Sequence, residues 1–139
     1  VKIDPLDVLF SEYIRMRAIL RTGGCERCLH PKFDKVKENG EIFPAWKQLQ
    51  CSHYHPRTKK STRWDEEDCV GLCGGCHTFL EHNPLEHTNW FREQLGEEAF
   101  DLLYARARTL AKYVDKVALK LYYENKIKEI LDEQGKTIR

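Results

Sequence analysis

A chain of 139 residues suits one domain, or a small domain carrying a helical appendage. Its formal net charge of +1 excludes the global basic field that marks many nucleic-acid binders, so any DNA contact has to come from local patches. No apolar run approaches the ~20 residues that span a bilayer, and the first ten residues lack a basic segment followed by an apolar one, so a soluble, cytoplasmic protein is expected.

Asp4-Pro5 signals a helix start, with Asp as cap and Pro at the first helical position. Leu6, Leu9, Phe10, Tyr13, Ile14, Ile19 and Leu20 then recur at helical spacing until Gly23-Gly24, which predicts a helix over 5–22. Cys25-Glu-Arg-Cys28 follows as a knuckle-like turn. Leu29 to Pro44 is polar, and its Asn39-Gly40 pair predicts a hairpin or surface loop.

Phe43 to Leu49 leads into a short strand ending at His53. A loop rich in Arg, Lys, Ser and Thr, Pro56 to Arg63, reaches Trp64 and an acidic turn at Asp65 to Asp68. A second strand then meets Cys73-x-x-Cys76, which runs into His77 at the head of a helix. Asn83-Pro84 predicts a further capped helix, and Gly96 interrupts it. Glu97 to Gln134 holds neither Gly nor Pro, so one helix of roughly 55 Å is expected. Its apolar stripe runs through Phe100, Leu103, Ala107, Leu110, Val114, Val117 and Leu121, then drifts to Ile127, Ile130 and Leu131.

In a reducing compartment six cysteines argue for metal ligands or free thiols before disulfides. Cys25/Cys28 and Cys73/Cys76 form a split pair of thiolate clips. Four thiolates satisfy tetrahedral zinc and leave no position for water, so that zinc would be structural. Cys51 and Cys69 read as core thiols. Two basic patches could meet phosphates: Arg57, Lys59, Lys60 and Arg63 in the loop, and Arg106, Arg108, Lys112, Lys116 and Lys120 along the C-terminal helix.

The strand, loop, strand, helix order, with His53, Asp68 and His77 in register, resembles the HNH endonuclease superfamily and its ββα-metal motif. That resemblance implies His53 as general base, Asp68 in the place of the loop-bracing Asn, and His77 as ligand of a catalytic cation. LFSEYIRMR at Leu9 to Arg17, the Cys25/Cys28 pair, Trp46-Lys47 and STRWDEED look like phage recombination nucleases of the NinG (Rap) type. This similarity runs to about Leu103. It implies branched recombination intermediates such as Holliday junctions as substrate, and a phage or prophage protein in the bacterial cytoplasm.

Phosphodiester hydrolysis needs a base for the attacking water and a cation to stabilise the charge developing on phosphate and leaving oxygen. A neutral His53 can be that base, and Glu81, one turn beyond His77, can be a second ligand to Mg2+ or Mn2+. Ser52 departs from the superfamily, in which Asp or His usually precedes the base as a metal ligand. Asp68 can accept the loop's N–H groups but lacks the amide donor. His55, His82 and His87 are expected at the surface or in caps, with His30 bordering the zinc clip.

The expected fold is α+β: a zinc-stapled nuclease domain over 1–96, with its N-terminal helix at 5–22 and its motif at 47–82, and a C-terminal helical extension over 97–139. The alternatives are a restriction-like or nicking HNH nuclease on duplex DNA, and a catalytically inactive zinc-stapled DNA-binding module. A homodimer through the C-terminal helices is expected, because so long a helix would leave its stripe uncovered.

Overall fold

The computed structural model describes residues 2–110 and 113–134. Its first helix, α1 (Pro5–Thr22), starts where the Asp4 carboxylate accepts from the Leu6 N–H at 2.9 Å. It ends at Gly23, whose φ of 74° lets its N–H turn back to the Ile19 carbonyl. Leu6, Phe10, Tyr13, Ile14, Met16, Arg17 and Ala18 form its buried face.

A small hairpin follows, with strands β1 (Lys35–Val36) and β2 (Ile42–Phe43) antiparallel about the Asn39-Gly40 turn, as the polar segment predicts. After a 3₁₀ turn at Ala45–Gln48 comes β3 (Gln50–His53). It pairs antiparallel with β4 (Cys69–Leu72), placing His53 opposite Cys69 and Cys51 opposite Gly71. Helix α2 (Gly74–Glu81) follows β4 directly, and α3 (Pro84–Leu95) follows α2. Asn83 does not cap α3 through its side chain; its amide donates back to the Phe79 carbonyl at 2.7 Å.

The expected single helix over 97–134 is two helices, α4 (Glu97–Ala107) and α5 (Lys116–Glu133). Asp115 caps α5 by accepting from the Ala118 N–H at 3.0 Å, and the chain folds back so that α5 packs on α1. The reason is apolar burial. Tyr123, Ile127, Ile130 and Leu131 cover Leu6, Phe10, Tyr13 and Ile14 in one core cluster. A straight continuation of α4 would leave both sets wet.

The β3–β4 ribbon divides this cluster from a second one. Alternation along the strands sends Cys51 and Cys69 towards α1 and α5, while Tyr54, Val70 and Leu72 join Cys76, Leu80, Phe91, Phe100 and Leu103 on the other side. Close contact of α1 with β4 depends on Gly71, where an added Cβ would fall 2.6 Å from the Ala18 Cβ. Arg17, buried on α1, fixes the ribbon's entry by donating to the carbonyls of Glu66 at 2.8 Å and Cys69 at 2.6 Å. The molecule is α+β, with two two-stranded antiparallel sheets and five α-helices among the described residues.

Candidate functional site

The two cysteine clips meet in space. The Sγ atoms of Cys25, Cys28, Cys73 and Cys76 all lie within 4.8 Å of one another, so this group could hold a zinc ion. Cys25 and Cys76 are buried. The knuckle closes through the Leu29 N–H to the Cys25 carbonyl at 3.0 Å, with Leu29 at a φ of 62°. It docks on β4 by Glu26, whose N–H donates to the Gly71 carbonyl at 3.0 Å and whose carboxylate accepts from the Gly71 N–H at 2.7 Å.

The thiols differ in their surroundings: burial raises that of Cys76 to about 12, and that of Cys28 is also raised. Burial pushes the Cys25 thiol up, but backbone N–H groups of Cys73, Cys28 and Arg27 outweigh it and bring it to about 7. Arg27 donates to the Cys76 Sγ at 3.4 Å, which offsets the net negative charge that four thiolates leave around a divalent ion.

His53 stands at the end of β3, half-buried, with its ring 5.9 Å from that of Phe10. Its Nε2 lies 3.1 Å from the Arg63 carbonyl oxygen. A carbonyl only accepts, so Nε2 carries the proton and Nδ1 keeps its lone pair. Burial holds the imidazole below its ordinary value, which keeps the ring neutral at pH 7. A cleft of about 500 Å³ opens beside it, lined by Asp7, Ser11, Arg15, Cys51 and Arg57 among others.

Asp68 sits at the foot of the loop, with its side chain inaccessible to solvent. Its carboxylate accepts from the His55 backbone N–H at 3.0 Å and contacts the His55 Nδ1 at 2.7 Å. It therefore ties the backbone at His55, at the start of the loop, to its far end. His55 is not the surface residue expected of it: at 9% exposure it is Asp68's buried partner. Burial pushes the Asp68 carboxyl up to about 6, against the pull of the His55 donors.

His77 and Glu81 lie one turn apart on α2, with Nε2 and Oε1 separated by 3.6 Å. The His77 Nδ1 is buried without a hydrogen-bond partner, and so is the Nε2 of His87 on α3. The two rings are close enough to influence each other: burial first, then His77, lowers the His87 imidazole. Sequence reasoning missed His87, although its place one turn into the Pro84 helix was readable. His77 belongs to the α2 side of the ribbon and His53 to the α1 side, and no hydrogen bond or ring contact joins them among the described residues.

The loop cations divide. Lys59 and Lys60 are exposed. Arg57 instead donates to Asp7 at 2.7 Å, and Arg63 donates to both oxygens of the same carboxylate. In the second patch Arg106 is tied to Asp65 and Glu67, each at 2.8 Å, and Lys116 to Asp4 at 2.6 Å; Lys112 lies outside the described residues. No helix among the described residues is long and apolar enough to cross a membrane. No family model, curated protein or solved structure matches the chain.

Proposed function

We propose that the protein is a metal-dependent endonuclease of the HNH kind that hydrolyses DNA phosphodiesters, with branched recombination intermediates as substrate and structural zinc in its four-cysteine clip. The observation that carries this reading is His53. Its ring is pinned through Nε2 to the Arg63 carbonyl, so the free Nδ1 lone pair is oriented, neutral and next to an open cleft, as a general base requires.

In this reading Nδ1 takes the proton of the attacking water, while the Asp68 brace keeps the 54–67 loop in the shape that presents the base. His77 and Glu81 would hold the catalytic Mg2+ or Mn2+, and the unpartnered Nε2 of His87 makes it a further candidate ligand. That cation would stabilise charge on the leaving oxygen. Lys59 and Lys60 meet phosphates directly, and Arg57 and Arg63 join them when DNA competes with Asp7 for their N–H groups. The phage recombination setting belongs to the same proposal.

One observation favours the catalytically inactive, DNA-binding alternative. The His53 ring lies against Phe10 of the first core cluster, whereas His77 influences His87, whose ring lies against Tyr54 of the second. Incubating labelled four-way junction and linear duplex with the protein in Mg2+ or Mn2+ separates the readings. The nuclease cuts, prefers the junction and loses cleavage on His53→Ala while still binding DNA. A protein that binds both DNAs and cuts neither is the binding module.

A further inference from the structure

Both core thiols of the sequence reading meet His53. Strand alternation puts Cys51 and His53 on one face of β3, and the antiparallel register sets Cys69 across from His53. Their three ligand atoms lie within 4.8 Å of one another, on the α1 side of the ribbon and away from the four-cysteine clip.

We propose that Cys51, His53 and Cys69 form a second metal site, for a thiophilic divalent ion such as zinc, with its fourth position open to the cleft beside Asp7 and Ser11. Three protein ligands and one free position is an arrangement that water or a small ligand completes. The donor set selects the ion: two thiolates and an imidazole suit zinc, whereas Mg2+ and Mn2+ take oxygen.

Charge favours this occupant. Two thiolates and a divalent ion sum to zero, so the filled centre is neutral where it adjoins Phe10 and the rest of the α1 core. The ring is ready for the ion as well. Its Nε2–H bond to the Arg63 carbonyl is the outer-shell contact that orients a metal-bound imidazole, and it leaves Nδ1 as the ligand atom.

A consequence rests on the nuclease reading of His53. Metal on Nδ1 takes the lone pair that the base needs, so zinc bound here switches cleavage off while Mg2+ bound elsewhere does not.

Cobalt(II) titration of the reduced, metal-stripped protein tests the site through thiolate charge-transfer absorption, with zinc content measured in parallel. Wild type should bind two equivalents, Cys51→Ser only one, and Cys25→Ser should lose the other. Cys69 is buried and its variant can fail to fold, so the half-buried Cys51 carries the comparison. Saturation of wild type at one equivalent, or two equivalents on Cys51→Ser, overturns the site, as does a Cys51–Cys69 disulfide that survives reductant. Filling the second site of wild type with zinc should lower Mg2+-dependent cleavage at least tenfold. Undiminished cutting with both sites filled overturns the switch. A protein that binds the second equivalent yet never cuts keeps the site and removes the nuclease reading instead.

Discussion

Asp7, in the first turn of α1, accepts hydrogen bonds from Arg63 on both carboxylate oxygens, 56 residues along the chain. Arg57 and the Trp64 indole N–H, at 2.7 and 2.9 Å, complete its ring of donors. The loop is thereby folded down on α1, and the Arg63 carbonyl that orients His53 is held with it. One carboxylate thus links the N-terminal helix to the proposed base.

This clamp has a pH dependence of known sign. Burial pushes the Asp7 carboxyl up, but the Arg63 and Arg57 donors outweigh it and hold it below 3.8. A depressed folded-state value means the stabilisation is full above the unfolded value and lost as pH falls through the folded one. Asp7→Asn should therefore unfold at lower temperature than wild type at pH 7, with the gap closing below about pH 4. A gap that persists at pH 3 would assign the loss to shape and not to charge.

Gly71→Ala tests the seam between α1 and β4. The new methyl would sit 2.6 Å from the Ala18 Cβ, with the Ile14 carbonyl oxygen at 3.6 Å, so neither a rotamer change nor a flexible neighbour relieves it. A loss of about 1–3 kcal/mol is expected in urea unfolding, the usual cost of overpacking a filled core.

What the sequence allowed, and what it did not, follows the range of the forces involved. The helix over 5–22 was legible because Asp4, Pro5 and Gly23 act locally on their own backbone. Each cysteine clip was legible because Cys-x-x-Cys spacing encodes ligand geometry locally, whereas the meeting of the two is a property of the folded chain. The break between α4 and α5 was missed because a stretch without Gly or Pro gives no sign that Tyr123 and Ile127 pack back onto Phe10. The Asp7 clamp and the His55–Asp68 pair were invisible for a like reason. Each joins residues whose separation only the folded chain closes.

Removing zinc should undo the junction between the knuckle and the ribbon. Cys25 and Cys28 come from the segment after α1, Cys73 and Cys76 from the start of α2, and an ion shared by the four would tie the two. Structural zinc contributes folding free energy outright. Cys25→Ser, or chelation of wild type, should lower the melting temperature by more than about 10 °C, given the few degrees that each kcal/mol is worth in a domain of this size. An unchanged melting curve after complete zinc loss would deny the clip its structural role.

Asp68→Asn should make the protein more stable at pH 8. Burial raises the Asp68 carboxyl to about 6, above the ordinary 3.8, so its contribution to stability is full at low pH and falls as pH rises through 6. Asparagine carries no charge to bury. Its amide oxygen can accept the His55 N–H, and its amide N–H can donate to the other tautomer of the ring. A gain on the order of 1–2 kcal/mol at pH 8, shrinking towards pH 4, is expected from unfolding curves at the two pH values. Equal stability at both would mean that the His55 donors compensate the buried charge fully.

The C-terminal surface carries the last expectation. The sequence set Leu103, Leu110, Val114, Val117 and Leu121 on one stripe, but Leu103, on α4, is buried in the second core. Tyr123, Ile127, Ile130 and Leu131 of α5 are spent on α1. Val117 and Leu121 remain, at 72% and 58% exposure and one turn apart on α5. Apolar groups this exposed and this close together favour association, and a two-fold pairing of α5 helices would cover both copies at once. It would also set two cutting sites symmetrically, as paired nicks in a four-way junction require. We therefore propose a homodimer through α5 in place of one along a continuous long helix. Light scattering should return twice the chain mass at tens of micromolar, and Val117→Glu with Leu121→Glu should halve it while the chain stays folded, since neither side chain belongs to a core cluster. A wild-type protein already at monomer mass under these conditions removes both the dimer and the symmetric pair of cuts.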